Sequence, residues 1–430
     1  MRPPVLRVHL DGLIVDSFAG GGGASTGIEW ATGRSPDIAI NHDREALAMH
    51  EANHPSTRHF CESVWDVDPK KACGGKPVEL AWFSPDCRHF SKAKGAKPVD
   101  NGVRGLAWVA VKWAKTVRPR ILCVENVVEL KTWGPLLADN TPCPMRKGFT
   151  FRRWLAQLTN LGYQVDMREL VAADYGAPTS RKRLFIVARC DGRPVEWPDA
   201  THGRACGLRP HRTAAEVIDW SIPVASIFDR PRPLAENTLL RVARGVQRFV
   251  VEHPPFMASP RVAAFVAKHF GGNGTPGSSL AAPLGTITTQ DHNHLVTVEL
   301  GEKPGPRAGL VGALLVAFYG TQQRPSLDRP LPTITTKDRF ALVTLGGEGR
   351  YINDLGMRMF SPRELAAAQG FPTDYILDPE VDGRRLSRGD QVRMLGNSVP
   401  PPVAAAVVRA NLAEQRSARR PAEQLRLEVG

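Results

Sequence analysis

The chain has 430 residues, enough for a full core and more than one lobe. Its 56 Lys and Arg against 43 Asp and Glu give a formal net charge of +13, which favours a polyanionic partner, with nucleic acid the foremost candidate. An apolar content of 42% fits a folded protein, no apolar run is long enough to span a membrane, and Met1 to Val5 shows no secretory signal, so a cytoplasmic protein is expected.

From Leu13 to about Ala188 short apolar runs alternate with helical stretches. Leu13-Ile14-Val15 enters a glycine-rich turn, after which Ala24 to Thr32 has a helical pattern. Ile38-Ala39-Ile40 precedes a helix from Arg44 to about Asn53. His42, His50, His54 and His59 crowd this region, but their spacing matches no metal motif, and they are expected on a helix surface. Leu80-Ala81-Trp82-Phe83 leads into Ser84-Pro85-Asp86-Cys87-Arg88-His89-Phe90-Ser91, and Ile121-Leu122-Cys123-Val124 leads into Glu125-Asn126-Val127. Leu106 to Lys115 and Phe151 to Leu158 read as further helices, and Leu184 to Ala188 as a last strand. Such alternation predicts an α/β fold with a mostly parallel sheet covered on both faces. Ligands of such sheets bind beyond the carboxyl ends of the strands, which would put Cys87 and Glu125 in one crevice.

Of the seven cysteines, Cys123 and Cys190 lie in or beside apolar runs, whereas Cys87 lies in a polar loop. None forms a CxxC pair, so neither a zinc knuckle nor a disulfide framework is expected.

Past Cys190 the texture changes to Pro, Arg and Gly with short helices, which predicts a second lobe. Inside it Pro283-Leu284-Gly285-Thr286-Ile287-Thr288-Thr289-Gln290-Asp291 recurs as Pro330-Leu331-Pro332-Thr333-Ile334-Thr335-Thr336-Lys337-Asp338, and Leu295-Val296-Thr297 recurs as Leu342-Val343-Thr344. A duplicated strand-turn-strand unit is the economical reading. Helical texture returns with Arg363 to Gln369 and Val403 to Leu412. The expected division is 1–190, 191–355 and 356–430, the last returning to the first.

Asp16-Ser17-Phe18-Ala19-Gly20-Gly21-Gly22-Gly23, Pro85-Asp86-Cys87, Glu125-Asn126-Val127, Asp174-Tyr175-Gly176-Ala177-Pro178-Thr179-Ser180-Arg181-Lys182-Arg183, Phe360-Ser361-Pro362-Arg363-Glu364 and Gly396-Asn397-Ser398-Val399 occur in that order. In content and order they resemble the cytosine-5 DNA methyltransferases. The resemblance spans Asp16 to about Val403 and departs from the usual pattern at Ser17, Arg88 and near Thr179. It implies a Rossmann-like catalytic domain that binds S-adenosylmethionine, a smaller target recognition domain, and double-stranded DNA as substrate.

It also implies roles for individual residues. Cys87 would add to carbon 6 of cytosine, Glu125 would protonate ring nitrogen 3, and Arg183 with Arg181 would hold the base carbonyl and favour the thiolate. Asp16, Phe18, Ala19, Gly20, Gly22, Ser84, Asn397 and Ser398 would line the cofactor pocket. Asn41, with Asp43 two residues on, stands where the family carries an acid for the ribose, and Glu62 where it carries one for the adenine. Arg88 would meet the backbone of a flipped-out nucleotide or cap its own loop, Ser91 would meet the DNA, and Ser91 to Gly105 would close over the base. Thr333 and Arg339 of the second repeat copy would face bases. A restriction endonuclease partner and a monomeric state fit this reading. The alternatives are a homologue that has lost catalysis and an enzyme of the same fold acting on RNA.

Overall fold

Strands that are apolar on both faces need cover on both, and the first sheet has it. The computed structural model describes residues 11–86, 105–268, 277–290, 292–319, 342–345 and 348–412. Cys87, Arg88, Ser91, Thr333 and Arg339 lie outside them, as do the second Pro-Leu-x-Thr-Ile-Thr-Thr copy and nearly all of Ser91 to Gly105.

The first lobe runs β1 (Leu13–Ser17), α1 (Gly23–Thr32), β2 (Ile38–Ile40), α2 (Arg44–Asn53), β3 (Arg58–Phe60), α3 (Pro69–Cys73), β4 (Val78–Phe83), α4 (Trp108–Thr116), β5 (Ile121–Asn126), α5 (Phe149–Asn160), β6 (Gln164–Val171) and β7 (Lys182–Arg189). Its sheet has the order β3-β2-β1-β4-β5-β7-β6. It is mostly parallel, as the alternation predicts. The exception is β7, which runs antiparallel to both β5 and β6 and so brings its first residues to the carboxyl end of β5.

Period-two alternation divides the strand side chains between two cores. Val15, Phe83, Val124 and Ile186 pack with Trp113 of α4 and Trp154 of α5. Ile14, Trp82, Cys123 and Val187 pack with Ile28 of α1 and with Val403 and Val407 of the C-terminal segment. Three elements of this lobe were not expected from sequence: the short helix α3, β3 and the charged edge strand β6.

The second sheet is antiparallel: β8 (Phe256–Ser259), β9 (Val262–Lys268), β10 (Gly277–Ser279), β11 (Asn293–Gly301), β12 (Leu342–Leu345) and β13 (Glu348–Met359). One face packs on α6 (Glu236–Val246) and α7 (Ala308–Tyr319) through Phe265, Val296, Val242 and Val311. These helices of 11 and 12 residues correct the expectation of short ones. The other face meets α8 (Pro362–Gln369) and α9 (Arg388–Asn397) through Val266, Leu295, Leu365 and Val392. The last helix, α10 (Pro401–Leu412), returns to the first lobe. It approaches α1 so closely that a Cβ on Gly27 would collide with the Pro401 carbonyl and Ala404.

The repeat divides into two parts with different fates. Leu295-Val296-Thr297 lies in β11 and Leu342-Val343-Thr344 in β12, on either side of β13. The stretch Pro283 to Asp291 contains no strand among its described residues, which corrects the strand-turn-strand reading.

Candidate active site

The carboxyl ends of β1, β2, β3, β4 and β5 lie along one edge of the sheet, and the residues singled out from sequence follow them. Phe18 follows β1, Asn41 β2, Glu62 β3 and Ser84 β4, while Glu125 and Asn126 end β5. Backbone bonds fix the neighbours: Phe18 and Ala19 donate to the Ile40 carbonyl at 2.9 and 3.1 Å, Asn41 to that of Phe60 at 3.1 Å, and Ser84 to that of Ser17 at 3.3 Å.

Glu125 is the buried acid of this edge, 5% exposed. Arg183 at the start of β7 reaches it, Nε to Oε1 at 3.4 Å. Burial pushes the Glu125 carboxyl above its ordinary value, against the opposing pull of Arg183, Arg181 and a hydrogen bond with Ser84. Its Oε1 makes no hydrogen bond to the described residues. A buried oxygen of this kind awaits a partner, and a substrate can supply it. The Ser84 hydroxyl accepts from Trp82 Nε1 at 2.9 Å and also meets Glu125, so its contacts lie on the acid side of the edge.

Asn126 is a positioning residue that the sequence reading did not single out. Its Nδ2 donates to the Pro85 carbonyl at 2.8 Å, while its Oδ1 accepts from the Val127 amide. The segment that leads into Cys87 is thereby tied to the strand that carries Glu125. Its place between Glu125 and Val127 was the available signal.

Arg181 has a different setting from Arg183. It is 3% exposed, and its Nη1 donates to the carbonyls of Ile287 at 3.1 Å and Gly396 at 3.0 Å. Its charge is felt at Glu125, but its hydrogen bonds join the first lobe, the first repeat copy and the end of α9. Leu284 completes the seam: it donates to the Pro178 carbonyl and accepts from Ser180, at 2.9 and 2.8 Å. The exposed side of the same alternation carries Lys182, paired with Glu169 at 3.0 Å.

The glycine-rich turn serves two ends. Gly20 has φ +53, and a Cβ there would meet nothing nearer than the Phe18 carbonyl at 3.9 Å, so the backbone is open at that point. Phe18 shares the left-handed region with φ 66, a conformation that costs energy for a ring-bearing residue and points to function. Gly22, in contrast, faces inward, where a Cβ would collide with the Tyr375 hydroxyl, and Gly23 abuts Ser398. Tyr375 donates to the Gly21 carbonyl at 2.6 Å. The C-terminal segment thus closes over the turn, with Ser398 buried against it and Asn397 exposed.

Asp16 is fully buried, accepts from Ser25 Oγ at 2.7 Å, and leaves Oδ1 unbonded among the described residues. Burial pushes its carboxyl up to about 7, against the hydrogen bonds from Ser25. From Ser25 the chain of contacts continues to His50 Nε2 at 2.8 Å, and from His50 Nδ1 to His59 Nε2 at 2.8 Å. This corrects the expected surface placement: His50 and His54 are buried, and His50 is held neutral by burial and by its histidine neighbours. Among the described residues no group of three or more potential ligands could hold a metal. Asp43 is also engaged elsewhere, capping α2 through the Ala46 amide and pairing with Arg393. Asn41 accepts from the Asp43 amide through Oδ1 at 2.9 Å.

The sequence model of the C-5 cytosine-specific DNA methylase family matches residues 13–209 and 293–412. The chain belongs to that family. Among relatives of this methylase, the type II methyltransferase M.DdeI of Desulfomicrobium norvegicum is 24% identical over 406 residues, covering 92% of this chain and 87% of the relative. M.AgeI of Thalassovita gelatinovora, also named a type II methyltransferase, is 32% identical over 203 residues; the match spans 45% of this chain and less than half of the relative, 44%. In fold the chain is similar to the solved structures of a DNMT2 mutant from Spodoptera frugiperda and of Dnmt2 from S. pombe. Their TM-scores are 0.52 and 0.50, at 14% and 13% identity, covering 93% of this chain in each case and 99% and 97% of those chains. No described helix is long and apolar enough to cross a membrane.

Proposed function

We propose that this chain methylates carbon 5 of cytosine in duplex DNA, using S-adenosylmethionine. The observation that carries the reading is the Asn126 to Pro85 hydrogen bond, which holds the lead-in to Cys87 beside a buried acid whose Oε1 is ion-paired with Arg183 but accepts no hydrogen bond among the described residues. Family membership and the type II relatives support DNA as the substrate and a cognate endonuclease as partner.

Cys87 adds as thiolate to carbon 6 of the flipped base, and the ring electrons move toward nitrogen 3. Glu125, whose burial favours the protonated form, gives its proton to that nitrogen, so carbon 5 becomes the nucleophilic end of an enamine. Arg183 steadies the base carbonyl beside it. Once carbon 5 carries the methyl group, loss of its proton re-forms the double bond between carbons 5 and 6 and expels the thiolate, and the proton on nitrogen 3 returns to Glu125. S-adenosylmethionine, when bound, supplies an electrophilic methyl group. The open backbone at Gly20, the strained Phe18, the exposed Glu62 and the amide of Asn41 fit its methionine, adenine and ribose portions, with Asn397 and Ser398 at the C-terminal wall.

The lobe built on the second sheet is the proposed target recognition lobe. Ile287 and Thr288 meet the Arg181 seam through their backbone, which supports the second copy, with Thr333 and Arg339, as the one that faces bases. A duplex carrying 5-fluorocytosine at the target tests the chemistry, because fluorine cannot leave as a proton does. Cofactor-dependent covalent capture on Cys87 is expected; capture on another cysteine would refute the scheme.

A further inference from the structure

We infer that the cleft between the 127–148 excursion and α5 grips the phosphate backbone of the duplex flanking the target base, an inference that rests on the DNA reading above. The excursion leaves β5 directly after Glu125 and Asn126, so a duplex that delivers a base to Glu125 runs past it. Its path is fixed. Leu137 donates to the Thr141 carbonyl, Cys143 to Pro135, Gly148 to Thr132 and Phe151 to Trp133, at 2.8 to 3.1 Å. Gly134 lies so close to the Arg146 carbonyl that a Cβ would collide with it, and Trp108 meets Trp133 edge to face at 6.0 Å.

The fold leaves a cleft of about 560 Å³ lined by Trp108, Pro135, Arg146, Phe149, Arg153 and Gln157. Arg146, Lys147, Arg152 and Arg153 are exposed, and none is ion-paired among the described residues. Several other basic groups are neutralised: Lys131 and Lys182 share Glu169, Arg120 meets Glu79 and Asp191, and Arg212 meets Glu216. The nearby Asp139 is folded onto its own Thr141. Two arginines in the cleft, Arg146 and Arg153, with Lys147 and Arg152 beside them in sequence, an aromatic floor and the neutral donor Gln157 fit phosphates and the sugars between them. Phe149, almost half exposed, would lie against the sugars.

The test is the salt dependence of binding to a 30-base-pair duplex of random sequence, read by fluorescence anisotropy. Each lost phosphate contact lowers the slope of log K against log salt by about 0.9, so Arg146→Ala with Arg153→Ala should lower it by roughly 2. Arg212→Ala, which removes an exposed but paired arginine, should leave the slope unchanged. The doubly substituted Arg146→Lys, Arg153→Lys protein keeps both charges and should keep the slope, which separates charge loss from misfolding. An unchanged slope in the alanine protein overturns the inference and leaves the cleft to another partner, such as an acidic protein. Failure of the unsubstituted protein to bind duplex at all would instead overturn the DNA reading.

Discussion

Arg181 Nη1 and the Gly396 carbonyl are 3.0 Å apart, although 215 positions separate them in sequence. The same nitrogen reaches Ile287, and a Cβ on Gly396 would collide with the Thr288 carbonyl. Three segments therefore meet at one guanidinium: the lead into β7, the first repeat copy, and the turn into Asn397 and Ser398. The proposed cofactor wall and the second lobe are joined there.

Arg181→Met should therefore destabilise the protein rather than erase its chemistry outright. It strands two buried carbonyls, at a cost of about 3–6 kcal/mol, since bonds to charged groups contribute about 1.5–3 kcal/mol each. Thermal unfolding should show the loss, and calorimetric titration should show weaker S-adenosylmethionine binding. Unchanged stability would mean that the seam is idle.

Glu125→Gln should lower kcat by about 10²–10⁴, the usual scale for a lost general acid, while duplex binding persists. The carboxyl must be protonated to donate, and burial raises its pKa. Activity should therefore be highest below that raised value and fall as pH climbs through it. A rate that is flat, or that rises as Glu125 ionises, would exclude it as the donor.

Asn126→Ala should remove the Pro85 tether while leaving Glu125 in place. A loss of about 1–2 kcal/mol of transition-state stabilisation, roughly tenfold in kcat, is the expected size for one buried hydrogen bond that positions a nucleophile. Cofactor affinity should stay near that of the unsubstituted protein. Loss of cofactor binding instead would place Asn126 in the pocket.

The first sheet was legible because strands covered on both faces become continuous apolar runs. β3 escaped because three half-exposed residues, Arg58-His59-Phe60, carry no such run. β6 escaped because an edge strand carries Asp166, Arg168 and Glu169. The roles of Glu125 and Arg183 were legible through the ordered motifs that resemble the family, Glu125-Asn126-Val127 and Arg181-Lys182-Arg183. The role of Arg181 was not, since Ile287 and Gly396 lie 106 and 215 positions away. His50 and His54 share a helix face by spacing alone, but that the face is buried follows only from Ser25, Thr26 and Glu29 of α1 packing against it.

Asp16 makes a stability prediction with a definite sign. Its folded pKa of about 7 lies above the model-peptide value of 3.8, so the native state holds the proton more tightly. Its stabilising contribution is complete below about pH 4 and fades as pH rises toward about 7, by up to roughly 4 kcal/mol at 1.36 kcal/mol per unit. Asp16→Asn should flatten stability against pH across that window, as measured by urea unfolding of the free protein. An equally steep dependence in the variant would assign the titration elsewhere.

The central claim is methyl transfer to carbon 5 of cytosine in duplex DNA, and the direct measurement uses S-adenosylmethionine labelled in its methyl group. Duplex DNA and RNA are offered together, the products are digested to nucleosides, and the Cys87→Ala protein is run alongside. Label is expected in 5-methyldeoxycytidine alone, and none with Cys87→Ala. Label in RNA, on an exocyclic nitrogen, or undiminished in the Cys87→Ala protein would contradict it.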